Sequence, residues 1–197
     1  MDHLVDRMRV GGSTRLRIVT RPEKKDVIEH AEELGAEVVL GYPASVGASF
    51  LAGIEGLAED DIVLIGFPDT LWEPEDGYRP LVRAVREGCD VALGLFRIHA
   101  DDLRRSDVVV FGEDGTIVRI DVKPVEPRSA WIWGCAAAQA GKLAGLARAD
   151  WPGGYFDLLC REGHDVRGLQ LSDAWVDVGT KDALRRAEDL LNSGEGL

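Results

Sequence analysis

Cysteine, aromatic side chains and positive charge are all in short supply in this sequence, and each shortage removes a class of protein. Its 3 cysteines, Cys89, Cys135 and Cys160, lie far apart. They form no Cys-x-x-Cys or Cys/His grouping, so neither a disulfide framework nor a zinc site is indicated. Lys and Arg number 23 against 35 Asp and Glu, a net charge of −12. That balance argues against nucleic acid as a partner, which needs clustered cations to displace counterions. A small anionic substrate is still allowed, because a distant field is screened within about 10 Å. No apolar run nears the roughly 20 residues that cross a bilayer, and no basic-then-apolar leader follows Met1. The expectation is a soluble, cytoplasmic protein with no membrane partner.

What is present points to one α/β unit. A chain of 197 residues, 45% hydrophobic, suits a single domain with a substantial core. Short apolar runs alternate with amphipathic stretches, the pattern of strand-helix-strand units. The spacing predicts a helix in "DHLVDRM", a strand from Arg17 to Val19, a helix opened by Pro22 and ended by Gly35, and a strand from Glu37 to Leu40. A second helix carries Phe50, Leu51, Ile54 and Leu57. "DIVLIGF" is apolar throughout and reads as a central strand buried on both faces. "PDTLWEPEDG" reads as a loop, followed by a helix through Leu81, Val82 and Val85 and a strand in "DVALGLF". "DVVVFGEDGTIVRI" is a hairpin turning on Asp114-Gly115. Beyond it come a strand near "WIWGCAAA", helices, strands at "DVRGLQL" and "WVDVG", and a closing helix from Lys181 to Leu191.

"GGSTRL", residues 11–16, imitates a phosphate-cradling loop. Such a loop follows a strand and opens a helix, whereas this one follows a helix and precedes a strand. Gly11-Gly12 therefore reads as a helix terminator and turn.

Three later stretches carry chemistry. In "VLIGFPDTLW", Asp69 sits just past the end of a strand, where open α/β sheets bind ligands and where a carboxylate can hold Mg²⁺ against a phosphate. Alone it reads first as a turn or cap residue. In "IDVKPVEP", Lys123 precedes a proline, on a restricted backbone that could present its ammonium to a phosphate. Alone it reads first as a solvated surface lysine. In "WVDVGTKDAL", Thr180 reads as a helix N-cap, which leaves Asp177 as the second carboxylate that a metal-dependent phosphoryl or nucleotidyl transfer needs.

In family order, these stretches resemble the sugar-phosphate nucleotidylyltransferases, the glucose-1-phosphate thymidylyltransferase and dNDP-sugar pyrophosphorylase group. The resemblance runs from about Asp6 to Leu191. It implies a Rossmann-like (GT-A-like) nucleotidyltransferase fold, a mixed sheet flanked by helices with a β-hairpin insertion. It also implies that Asp69 and Asp177 bind a catalytic Mg²⁺, that Lys123 contacts the sugar phosphate, and that Pro43 and Gly47 of "YPASVGA" pack on the nucleotide base. The implied substrates are a nucleoside triphosphate and a sugar-1-phosphate, and homo-oligomerisation is left open.

Departures bear on the substrate and on completeness. Val122 stands where many relatives have glutamate, Ser106-Asp107 replaces a common Tyr-Gly, and the stretch from Leu146 to Tyr155 is short, so the sugar is left open. The family's first strand, its Gly-Gly-x-Gly-Thr-Arg-Leu loop and the helix after it have no counterpart, about 30 residues by mean element lengths. The expectation is one domain over residues 1–191, incomplete at its amino end because Met1 is an internal start, with a flexible tail over 192–197. A non-catalytic regulatory or partner subunit is the second reading. A glycosyltransferase using a ready-made nucleotide sugar is the third, and it lacks the expected Asp-x-Asp at residues 69–71.

Overall fold

A computed structural model of the chain describes residues 1–194. Helix α1, Asp2–Val10, buries Leu4 and Val5. Gly12 then adopts a φ of 95°, and the amides of Gly12 and Ser13 bond back to Arg9 and Met8. Residues 11–16 are thus a helix end and turn, as their order predicts.

Strands β1, Arg17–Thr20, and β2, Glu37–Leu40, pair in parallel. The helix between them, α2, covers Lys25–Glu33 and not the residues from Pro22. Pro22 is spent in a turn that the Lys24 N–H closes onto the Arg21 carbonyl at 3.1 Å. Helix α3, Val46–Ile54, starts at Ser45, whose Oγ accepts from the Ala48 N–H.

The main sheet contains β3 (Ile62–Ile65), β5 (Val91–Arg97), β6 (Asp107–Phe111), β7 (Ile117–Val122), β8 (Trp131–Gln139) and β9 (Val166–Ser172), in the order β7-β6-β8-β5-β9 with β3 on β8. Strand β8 is its centre. One of its edges pairs with β5, and the other is shared by β6 at Ile132 and by β3 from Ala136 to Gln139. Alternation along β5 sends Val91, Leu93 and Leu95 toward Phe156 and Leu159 of α7 (Pro152–Arg161). Ala92 and Phe96 face Leu81 and Val85 of α4 (Tyr78–Arg86). Helices therefore cover both faces of a mixed sheet.

The structure corrects two further sequence expectations. β3 is not central: among the described residues it pairs only with β8, and of its own four only Ile65 is buried. An apolar run reports what lies above and below a strand and nothing about its edges. The "PDTLWEPEDG" loop also holds a strand, β4 (Thr70–Trp72), antiparallel to β10 (Trp175–Asp177).

The β6–β7 hairpin forms as expected, with Gly115 at a φ of 79° and the Asp114 carboxylate accepting from the Thr116 N–H. It is fastened to α7 by the buried Asp157, whose Oδ1 accepts from the Ile120 N–H at 2.9 Å. Helix α8, Lys181–Gly194, carries residues 192–194 of the expected tail, and 195–197 lie outside the described residues. Among the described residues no helix is long and apolar enough to cross a membrane.

Candidate active site

Asp69 sits in the turn leaving β3, fixed because the backbone N–H and the hydroxyl of Thr70 both donate to the Phe67 carbonyl. The β4–β10 ladder pairs Thr70 with Asp177, and the Val178 N–H donates to the Asp69 carbonyl at 2.9 Å. Two aspartates remote in sequence are thereby held on adjacent strand ends, both open to solvent. The Asp177 carboxyl is pushed above its ordinary pKa, first by partial desolvation and then by the negative charges of Asp69 and Asp102, against Arg105 and Lys123. The two carboxylates are close enough to repel each other.

That repulsion bears on whether Mg²⁺ suits the site. A divalent cation between two carboxylates would relieve it, and hard oxygen donors that leave most of the coordination sphere to phosphate and water are the set Mg²⁺ takes. Among the described residues no group of three or more His, Cys, Asp or Glu is arranged to hold a metal, so any ion here would rest on the pair and its substrate.

Lys123 faces the same region. Its backbone is left-handed, with a φ of 46°, and not the extended form its place before a proline predicts. Such a conformation costs about 1–3 kcal/mol. It is held by the Lys123 N–H, which donates to the Ser106 carbonyl at 3.2 Å, and by the ammonium, 4.0 Å from the Trp151 ring centroid. Trp151 in turn stacks on Phe67, with ring centroids 6.4 Å apart and planes 9° apart, and Phe67 meets Phe50 edge-on. An aromatic row thus links the β3 exit to the hairpin lysine.

Asp107 escaped the sequence reading as a site residue. It opens the hairpin from a buried position, and its Oδ2 accepts from Trp133 Nε1 at 3.1 Å while Oδ1 has no hydrogen-bond partner. Burial pushes its carboxyl up to about 6, against the indoles of Trp133 and Trp151 and the Lys123 charge. The signal available in the sequence was an acid heading an apolar strand, "SDVVVF".

The distance from an ordinary aspartate, near 4, is worth about 3 kcal/mol. Because the folded-state pKa is raised, the stabilisation is complete below pH 4 and is lost as pH climbs through 6. Asp107→Asn should remove this dependence. In urea titrations, its stability relative to the parent is expected to rise by about 3 kcal/mol between pH 4 and pH 7, and a constant difference would refute the buried charge.

Pro43 and Gly47 flank the amino end of α3. Gly47 is buried: a Cβ there would stand 2.8 Å from the carbonyl oxygens of both Leu146 and Ala149, and its N–H points to the Asp150 carbonyl. Its lack of a side chain is explained by the close approach of α3 to the short 3-10 helix Ala144–Arg148. The acidic pair and Lys123 come together, then, while Gly47 is tied to the segment just before Trp151.

No family model and no curated protein matches this chain in sequence. In structure it is similar to a protein from Bacillus anthracis, described as a glucose-1-phosphate thymidylyltransferase and crystallised with a sucrose. The TM-score is 0.81 at 20% identity, over 96% of this chain and 80% of that one. It is also similar to a UDP-glucose pyrophosphorylase in complex with UDP-glucose, with a TM-score of 0.80 at 11% identity, over 99% of this chain and 86% of that one. The chain accordingly has a sugar-phosphate nucleotidylyltransferase-like fold, a mixed sheet with helices on both faces.

Proposed function

We propose that this protein transfers a nucleotidyl group from a nucleoside triphosphate to a sugar-1-phosphate, with Mg²⁺ held by Asp69 and Asp177. The observation that carries the reading is the placing of Asp69 beside Asp177 by the β4–β10 ladder, which pairs Thr70 with Asp177, with the Lys123 charge felt at the same carboxylate. A phosphate oxygen of the sugar-1-phosphate attacks the α-phosphorus, the α–β anhydride bond breaks, and pyrophosphate leaves with that bonding pair. A bound dication would supply charge neutralisation at the phosphates.

The chain's own groups do the rest. Asp69 and Asp177 fix the cation's place from rigid strand ends, and Lys123, steered by Trp151, meets the sugar phosphate, so that catalysis is positioning and electrostatics. Pro43 is proposed to pack on the nucleotide base, with Gly47 shaping that segment from beneath.

Pyrophosphate release with each nucleoside triphosphate and glucose-1-phosphate tests the reading. Release that depends on Mg²⁺ and on both substrates is expected. Its absence with every triphosphate and a panel of sugar-1-phosphates, in protein that binds neither substrate, would favour the non-catalytic subunit. Lys123→Ala should lower kcat/KM for the sugar-1-phosphate by about 100-fold while leaving triphosphate binding nearly intact. Equal losses for both would place the lysine elsewhere. Metal affinity should also weaken as pH falls toward the raised Asp177 pKa, since the protonated acid is no ligand. Mg²⁺ titrations at two pH values check this.

A further inference from the structure

Beneath Lys123 lies a carboxylate that the transfer chemistry does not use. Asp107 opens β6 opposite Val122, and the carbonyl of its neighbour Ser106 holds the Lys123 N–H. The acid and the lysine thus leave adjacent ends of the two hairpin strands. The Asp107 Oδ2 accepts from Trp133 Nε1 at 3.1 Å. It also lies against Gly153, two residues past the Trp151 ring over which the Lys123 ammonium stands at 4.0 Å. Gly153 belongs to the first turn of α7, where the helix dipole favours a negative charge. Oδ1 is buried and meets no donor.

Among the described residues, the charges around Asp107 reduce to one. On β7, Arg119 pairs with Asp121 at 2.7 Å, and on α7, Asp157 pairs with Arg161 at 2.8 Å. β8 carries no charged side chain. The titratable groups of β8 and α7, Cys135, Tyr155 and Cys160, are kept neutral because burial pushes each of them up. Arg105, two residues before Asp107, acts on Asp177. Lys123 is left, and its charge opposes the effect of burial on the Asp107 carboxyl. No acid among the described residues forms a salt bridge with Lys123. Its ammonium is therefore shared, between Asp107 on the protein side and Asp177 on the open side.

We propose that Asp107 is the resting counter-ion of Lys123, and that binding of a phosphate-type dianion at Lys123 is coupled to uptake of a proton from solvent by Asp107. The inference rests on the same reading of Lys123 as the cation that meets a phosphate. A dianion that neutralises the ammonium leaves Asp107 as a buried carboxylate with no cation, a state less stable than its neutral acid. Oδ2 must still accept from Trp133, so the proton goes to Oδ1, where no donor has to be displaced. Linkage fixes the sign. With the anion bound, the Asp107 pKa moves upward from about 6. Reciprocally, the anion binds more tightly as pH falls through that range, the opposite of the metal, whose site weakens as Asp177 takes a proton.

The test follows the Asp107 carboxyl carbon by NMR from about pH 4 to about pH 8, without Mg²⁺, in sulfate or in chloride at equal ionic strength. Asp107→Asn identifies the resonance. Sulfate stays a dianion throughout, so no proton of the probe enters the count. The Asp107 pKa should be about one unit higher in sulfate. Sulfate affinity should tighten about 10-fold between pH 8 and pH 5, a dependence lost in Asp107→Asn. Lys123→Met should raise the Asp107 pKa in chloride and leave sulfate without effect on it, whereas Lys123→Arg keeps the sulfate response. A pKa that sulfate does not move, or that it moves equally in Lys123→Met, overturns the proposal. Turnover is a separate readout. Mg²⁺-dependent transfer without the sulfate response would end the coupling and keep the transferase reading, and the response without transfer would keep the coupling and end that reading.

Discussion

Asp69→Asn and Asp177→Asn should each lower Mg²⁺-dependent pyrophosphate release by at least about 10³-fold, some 4 kcal/mol of transition-state stabilisation, while leaving the protein folded. Each substitution keeps size and removes one of the two charges that a dication would bridge. Neither side chain is buried, so the loss should not come from unfolding. Asp177→Asn should if anything raise stability slightly, because it removes a carboxylate strained by Asp69 and Asp102. The measurement is steady-state turnover in native protein, alongside thermal melting of each variant. A variant that keeps its rate would show that the metal lies elsewhere, and one that melts early would show a structural role.

Gly153→Ala should cost about 3 kcal/mol, lowering the melting temperature by roughly 6–12 °C. A Cβ there would sit 2.0 Å from Asp107 Oδ2 and 3.0 Å from Trp133 Nε1. The carboxylate cannot retreat to water, since Asp107 is buried, and moving it would break the hydrogen bond it accepts from Trp133. The double substitution Asp107→Ala/Gly153→Ala should recover most of the loss, because the obstacle is then gone. A double-mutant cycle on melting and urea data reads the coupling. Additive losses would show that the two residues act independently.

Much of the α/β order was legible because local patterns carry it: β2 and the hairpin are where their residues predict. Legibility failed where the answer lay in another part of the chain. The apolar run of β3 has the composition of a doubly covered strand, yet its pairing is decided by which strands arrive beside it. β4 hid in a loop because three residues declare themselves a strand only through their partner, β10. Asp69, Lys123 and Asp177 were singled out by motif order, and the structure brings them to one region. Trp151 and Asp107 were missed, since a cation over an indole and a buried acid facing Trp133 are long-range pairings with no local period.

The seat of Lys123 on Trp151 has an experimental use. An indole under an ammonium and stacked on a phenyl ring emits according to how close that charge stays. A phosphate that draws the lysine away would alter the emission, giving the protein a built-in optical reporter of anion arrival that needs no label and no turnover.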